Sequence, residues 1–599
     1  MSAGENETPE SNSPSLERGA ARWAKVRWWI AFASTFSVLL VAPTRLAIVR
    51  MAHSARESGL AAVFLACLAC TILLTWRLGA SLPDRWNSRS RKIVFGLWIT
   101  FLTVGIFLQS IPTPSSNRVI VAVLFAVGLL WGPWLAWIGF RPMTRLRLMA
   151  EGLAVASGFL TLVSVVTVES MRGDNTIGFA WTWSPPRDLA ISFPEPARPT
   201  VITTGFEPTP DDFPQYLGPD RTGVIASALR QVNWGGSPPR ELWRKPVGPG
   251  WSGFAVRGDY AFTQEQRGEE EAVTCYRLQD GELMWMTKSP GRFASAMGGI
   301  GPRATPTIHP DGRLYTVGGT GLLQCLDARS GTVHWSKNIL TDNRGADHAH
   351  GVCGSPLIVD DLVIVSPTGT ETAALVAYDR LTGDRRWQAG QSPAAYNSPA
   401  LVELAGRQQV LIHTQKVLEA HDPADGQLLW EFPWSNEYGN NCSQPLVIDA
   451  AAGRLVVTTG YGTGAAMIKV SPGETAWSVE TIWTSRDMKT KFTTAVRIGD
   501  WIYGLDDGIL ACIAVDTGKR KWKSGRGYNH GQILLVGSTL LVQAEKGELA
   551  IVDPQPAKFI ELGKIPVLNN TTWNNPTVAG KYVLVRNSEE AVCLEWPMQ

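Results

Sequence analysis

The sequence predicts an all-β eight-bladed propeller preceded by an α-helical transmembrane region of about five helices. Three observations carry this. A unit made of a polar turn, a Gly and then a Trp recurs through the second half, long apolar runs fill the first, and a basic excess is confined to that first half.

The repeat starts near residue 240. Its copies are Gln279-Asp-Gly-Glu-Leu-Met-Trp285 and the segments ending at Trp335, Trp387, Trp430 and Trp522, with Gly281, Gly331, Gly383, Gly426 and Gly518 each four residues ahead of its Trp. Trp483 ends a degenerate copy. Successive Trp residues are 50, 52, 43, 53 and 39 apart, which suits four short strands and their loops, one propeller blade each. Gly takes positive φ, so the polar pair makes a tight turn. The strand after it puts Trp on a buried face. Upstream, Leu357-Ile-Val-Asp-Asp-Leu-Val-Ile-Val365 reads as a hairpin with Asp360-Asp361 at its bend. One blade leaves a face open, so blades stack into a ring.

Seven blades are expected at about 251–290, 300–340, 352–391, 396–435, 441–485, 491–526 and 528–565. The eighth runs from Trp573 to Trp596 and lacks an outer Trp strand. Glu241-Leu-Trp243-Arg-Lys245 supplies it from the start of the domain, and closing the ring this way removes open edges. Cys275, Cys325 and Cys512 stand ten residues before their Trp, where Ala377 and Ala420 stand in other blades. That is a small buried strand position, and Cys593 aligns with it. Equivalent positions in different blades lie beyond the ~4.4–6.8 Å Cα separation of a disulfide.

Residues 1–25 are read as a disordered cytoplasmic tail and 26–170 as the membrane region. Its apolar runs are about 28–49, 59–76, 93–111, 119–140 and 148–168, each near the ~20 residues that span a hydrocarbon core. Segments before the first run, between the second and third, and between the fourth and fifth hold twelve Lys/Arg; the alternate segments hold five. The amino terminus is therefore expected inside and the propeller outside, a multi-pass protein of the inner (cytoplasmic) membrane with a periplasmic domain. Few ionisable residues fall within the runs, so they read as an anchor. Residues 171–212, with Pro185, Pro186, Pro194, Pro196, Pro199, Pro208 and Pro210, read as a semi-rigid spacer, and 213–599 as the propeller. Net charge is +2, from 16 Lys/Arg against 8 Asp/Glu in 1–170 and the remaining 39 against 45 afterwards. A large basic surface, and with it a nucleic-acid partner, is not expected.

These residues resemble the pyrroloquinoline-quinone (PQQ)-type repeat family, whose Asp-x-x-x-Gly-x-x-x-Trp motif wedges each Trp between neighbouring blades. Asp327/Gly331/Trp335, Asp379/Gly383/Trp387 and Asp422/Gly426/Trp430 match in full; the Trp285 and Trp522 copies depart in the turn. The resemblance gives Trp285, Trp335, Trp387, Trp430, Trp483 and Trp522 a blade-docking role. Phe213-Pro-Gln-Tyr-Leu-Gly-Pro-Asp-Arg-Thr-Gly223 resembles the opening of a bacterial, often planctomycete, subgroup of PQQ-binding-like propellers. Two functional groups share the repeat: quinoprotein alcohol dehydrogenases and the propeller lipoprotein of the outer-membrane barrel-assembly machinery. The first implies PQQ with calcium, an Asp base, and adjacent cysteines over the quinone. This chain has no Cys-Cys and no Cys-x-x-Cys-His, and no local motif assigns those roles. The leading expectation is a binding or scaffolding module in the cell envelope, with a protein or polysaccharide partner. The alternative is a PQQ-dependent alcohol or sugar dehydrogenase.

Ligands of propellers commonly sit at the mouth of the central channel. The blade-opening segments put Arg303, Tyr396, Asn397, Asn441, Lys491, Asn529 and Asn574 on that rim, a set suited to a polar or anionic ligand. Asp347-His348-Ala-His350 is the one His cluster; His348 and His350 share a face if the chain is extended there, but a third ligand at metal spacing is not visible. Cys353 and Cys442 also fall in blade-opening segments, as packed or channel thiols. No catalytic residue and no metal set is assigned.

Overall fold

In this computed structural model the described residues are 200–597 except 227–233, 235, 296–297, 347–348 and 370–372, together with Val166–Met171, Ile177–Trp181 and Glu195. The five apolar runs lie outside them, apart from 166–168 at the end of the fifth. Those three residues are strand, paired as Val166–Met171 with Ile177–Trp181. Among the described residues no helix is long and apolar enough to cross a membrane. The tail, residues 1–25, also lies outside them.

Eight antiparallel sheets make the propeller. Blades 1–7 occupy 255–290, 307–338, 357–389, 400–433, 446–485, 496–523 and 532–566, each with four strands in chain order. Blade 8 is Thr577–Ala579, Tyr582–Arg586 and Glu590–Glu595, and its outermost strand is Arg240–Pro246 from the start of the domain. The expected closure is present, with Trp243 opposite Cys593. The core is a ring of apolar clusters, each shared by adjacent blades. Phe262, Trp285 and Leu314 join blades 1 and 2; Tyr315, Leu323 and Tyr378 join blades 2 and 3.

One local geometry repeats around this ring. Between third and fourth strands every blade has a register shift, as between Cys275 and Tyr276 or between Cys325 and Leu326. Such a bulge turns a side chain out of the regular alternation. The Trp lies just beyond it, opposite the small residue: Trp285 on Cys275, Trp335 on Cys325, Trp387 on Ala377, Trp430 on Ala420, Trp522 on Cys512. Its ring then reaches the turn of the next blade. The indole N–H of Trp285 donates to Ala328 O (3.1 Å), that of Trp335 to Arg380 O (3.1 Å), that of Trp387 to Pro423 O (3.2 Å) and that of Trp483 to Val515 O (2.9 Å). The turn Gly lies flat on the same ring. A Cβ on Gly331 would stand 2.6 Å from Trp285 Cε3, and Gly281, Gly383, Gly426 and Gly518 face Trp243, Trp335, Trp387 and Trp483 at 2.7–2.8 Å. These glycines have φ of +64° to +77°. The motif Asp caps the turn, since Asp379 Oδ1 accepts from the N–H groups of Leu381 and Thr382. Trp430 departs from the rule: its N–H goes to Gln409 Oε1 in its own blade.

The Pro-rich segment is not an extended spacer to its end. Residues 200–212 are held on blades 1 and 2: the N–H groups of Thr200 and Ile202 donate to Met284 O and Arg329 O, and Phe206 is buried between the guanidinium groups of Arg257 (4.7 Å) and Arg329 (4.6 Å). Residues 213–225 then cross the axial channel as a strap. Phe213 pairs with Val256 on the inner strand of blade 1, and Pro214 O accepts from Ile308 N of blade 2. The Arg221 guanidinium donates to Pro356 O (2.9 Å) and Ser355 O (3.1 Å) of blade 3. Val224–Ile225 adds a parallel fifth strand to the inner edge of blade 7. The channel is thereby closed by the chain that leads into it.

The Trp–Gly contact is expected to govern stability. Trp285→Ala should cost ~3–5 kcal/mol in chemical denaturation followed by circular dichroism. Gly331→Ala should also destabilise, through the ring contact and its positive φ. The double variant should cost less than the sum by roughly 0.5–3 kcal/mol, because one change removes the other's clash. Strict additivity would mean that the ring and the turn are not in contact.

Candidate functional site

Each blade opens with an extended segment whose side chains alternate between the channel and the blade body. One hydrogen-bond belt fixes the register. Gly253 N donates to Thr305 Oγ1, Thr305 N to Ser355 Oγ, Ser355 N to Ser398 Oγ, and Gln444 N to Thr494 Oγ1, at 2.9–3.2 Å. The Ser/Thr ahead of the strand is therefore a latch between neighbouring blades. Two residues before these four latches, and before the equivalent Gly253, Gln444, Gln532 and Asn575, stand Trp251, Arg303, Cys353, Tyr396, Cys442, Phe492, His530 and Trp573, one from each blade in ring order.

Seven of these eight line one cavity of about 170 Å³, together with His350, Ser355, Ser398, Asn440, Gln532 and Asn575. His530 stands against Phe492, ring centroids 5.6 Å apart. Tyr216 of the strap also lines the cavity, which makes it a bowl with a closed floor. Aromatic rings form much of its wall. Trp251 and Trp573 are 4.9 Å apart, Trp573 and Phe492 5.6 Å, and His350 meets Tyr396 edge-on at 4.9 Å. Both indole N–H groups are committed, Trp251 to Gly298 O (2.7 Å) and Trp573 to Glu545 Oε1 (2.8 Å). Arg303 lies under the Phe293 ring at 4.1 Å and donates to the carbonyls of Gly298, Gly299 and Gly301. Burial lowers its guanidinium to about 10. Its charge serves the loop that folds over it. Burial pushes the Cys353 thiol up to about 11, and moves that of Cys442 in the same direction.

Of the residues expected on the rim, the structure brings Arg303, Tyr396 and His350 to the cavity. Asn397, Asn441 and Asn574 are buried and hold backbone. The Asn397 amide pairs with the N–H and C=O of His413 (both 2.9 Å), Asn441 Nδ2 donates to Thr414 O (2.7 Å), and Asn574 Nδ2 donates to Gly250 O and Ser252 O. Lys491 lies over Tyr461 at 5.0 Å. Asn529 occupies a left-handed turn with φ +50°. His348 lies outside the described residues. Sequence reasoning missed Trp251, Phe492, Trp573 and Tyr216. Phe492 could have been found by counting back two residues from Thr494, whereas Trp251 and Trp573 precede Gly253 and Asn575, where no hydroxyl marks the position.

The donor set does not fit PQQ with calcium. No Asp or Glu lines the bowl, among the described residues no three His, Cys, Asp or Glu converge for a metal, and the volume is below the ~300 Å³ at which pockets for drug-sized ligands begin.

Residues 298–524 match the family described as outer membrane protein assembly factor BamB. Among solved structures the chain is similar to BamB from Moraxella catarrhalis, at 16% identity over 60% of this chain and 100% of that one, TM-score 0.44. It is similar to a europium-containing methanol dehydrogenase, at 14% identity over 63% and 90%, TM-score 0.39. It is also similar to the quinohemoprotein alcohol dehydrogenase of Comamonas testosteroni, at 12% identity over 65% and 82%, TM-score 0.40. No curated protein matches the chain.

The placement of the thiols is testable by alkylation. In the folded chain iodoacetamide should modify Cys353 and Cys442 and spare the fully buried Cys275, Cys325, Cys512 and Cys593. The rate at Cys353 should rise about tenfold per pH unit from 7 to 9, because the thiolate is the nucleophile and the pH stays below the raised value. Peptide mass mapping reads both. Equal modification of all six would remove the assigned register.

Proposed function

We propose that this PQQ-like repeat propeller is a membrane-anchored, externally facing binding or scaffolding module of the cell envelope, and that the closed-floored bowl is its binding site. The observation that carries this is the chemistry of the bowl: ring faces, hydroxyls and amides, with one imidazole, two thiols and a guanidinium turned to backbone carbonyls, and no carboxylate among them. A mostly aromatic wall with a few placed polar groups is the lining of a site that holds a ligand. The matched family is described as an assembly factor of outer membrane proteins, which supports an envelope setting. The apolar runs and the Lys/Arg asymmetry support the anchor and its orientation.

Titration of the full chain with PQQ and calcium by calorimetry, with a dye-linked assay on alcohols and sugars, separates this reading from the dehydrogenase. The expected result is no dye reduction. Saturable binding with turnover would make the chain a quinoprotein and overturn the binding-module reading.

Topology has its own test. Arg230→Cys should react with a membrane-impermeant maleimide in intact spheroplasts, above the level of the parent chain. Reaction only after lysis would place the propeller inside and change the span count by one.

A further inference from the structure

Resting on the binding-site reading above, we propose that the bowl takes one neutral sugar ring, the terminal residue of a glycan. The argument begins with the floor. The strap crosses the channel from blade 1 to blade 7 and puts Tyr216 at the base of the cavity. A polymer cannot thread the axis; a chain end can enter. At about 170 Å³ the space suits a single ring.

The wall offers two kinds of surface. Trp251 and Trp573 have spent their N–H groups on Gly298 O and Glu545 Oε1, so what remains to them is apolar ring surface. Phe492 and Tyr396 extend it. Between the rings stand uncharged hydrogen-bonding groups. The hydroxyls of Ser355 and Ser398 each accept a backbone N–H from the blade before, which leaves their protons to donate. Gln532 Nε2 donates to Phe492 O and Trp573 O (3.0 and 2.9 Å), which leaves its Oε1 to accept. A pyranose presents this same division, with C–H faces above and below and hydroxyls around the equator.

Charge narrows the class further. No carboxylate lines the bowl, and the Arg303 guanidinium is taken up by three carbonyls and the Phe293 ring. A uronic acid or an amino sugar would lose hydration and gain only neutral hydrogen-bond partners, with no opposite charge free to pair with it. The exit is also aromatic. Asn440 of the cavity wall belongs to the loop that carries Tyr438, an exposed ring 5.1 Å from Tyr461. The next residues of a glycan would lie over it.

Saturation-transfer NMR on the detergent-solubilised full chain tests this. The probes are methyl β-D-glucopyranoside, methyl α-D-mannopyranoside and the methyl glycoside of N-acetylglucosamine, with glucuronate, glucosamine and cyclohexanol as comparisons. Transfer to the ring C–H protons of at least one neutral glycoside is expected, with glucuronate and glucosamine at least tenfold weaker. Trp573→Ala should reduce transfer at least tenfold, while Trp573→Phe, which keeps a ring face and loses the N–H, should retain most of it. If Trp573→Ala fails to fold, Phe492→Leu gives the same readout, because only the backbone carbonyl of Phe492 engages Gln532. Transfer to cyclohexanol with none to any sugar would overturn the sugar assignment and keep a binding site. Transfer to no probe would overturn both.

Discussion

The ring of blades depends first on tryptophan rings lying flat against glycines of the next blade, at five of its junctions. The ring needs an approach that no Cβ permits, and the turn needs a positive φ that glycine adopts at least cost. One residue answers both demands, which is why Gly331 and Gly383 sit at a fixed distance from their own Trp. Five junctions of the ring are made this way, from Trp243, Trp285, Trp335, Trp387 and Trp483, and Trp522 reaches the turn of blade 7 through its N–H alone. Blade 7 shows how strict the demand is. Its outer strand has Gly563 where the others have Trp, yet the place is filled: Trp234, from ahead of the closing strand, sits over Gly563 and meets Trp596 at 5.2 Å.

A ring of pairwise contacts has no centre. Its apolar clusters lie between blades, so the axis is left as a channel bordered by the unpaired edges of eight inner strands. The strap resolves this by pairing with two of those edges, at Val256 and at Leu535-Val536. It does so with buried Arg221, whose two terminal guanidinium nitrogens donate to carbonyls of blade 3. The chain between residues 200 and 246 therefore does three things in turn: it rests on blades 1 and 2, fills the axis, and supplies the last strand of blade 8.

How much of this was legible follows from periodicity. The blades, the closure through Trp243 and the small residue facing Trp285, Trp335, Trp387, Trp430 and Trp522 follow fixed offsets, so the sequence alone exposes them. Trp234, Ile202 and Phe206 occur once each, and a single buried side chain has no pattern to announce it. The rim failed for a sharper reason. Asn397 and Asn574 stand one residue after the channel-facing position, and Asn441, Lys491 and Asn529 one residue before it. In an extended segment that is the wrong parity, and those side chains turn toward the blade or the outer loops. Arg303 and Tyr396 have the right parity and reach the cavity. Polarity picked out residues that satisfy backbone; the hydroxyl latch carried the register.

That latch holds the ring together through backbone N–H groups that the mouth does not use. Positions such as Ser355, Ser398 and Thr494 tie blade to blade, while the residues two places earlier meet mainly the cavity. The mouth can therefore change chemistry without unlatching the ring, which is how one repeat hosts unrelated functions. Here the mouth is Trp, Arg, Cys, Tyr, Cys, Phe, His and Trp in ring order. Its one permanent charge is Arg303, and that charge faces backbone carbonyls. On the binding-site reading, what such a mouth would discriminate is shape and hydrogen-bond direction, with charge acting only to exclude.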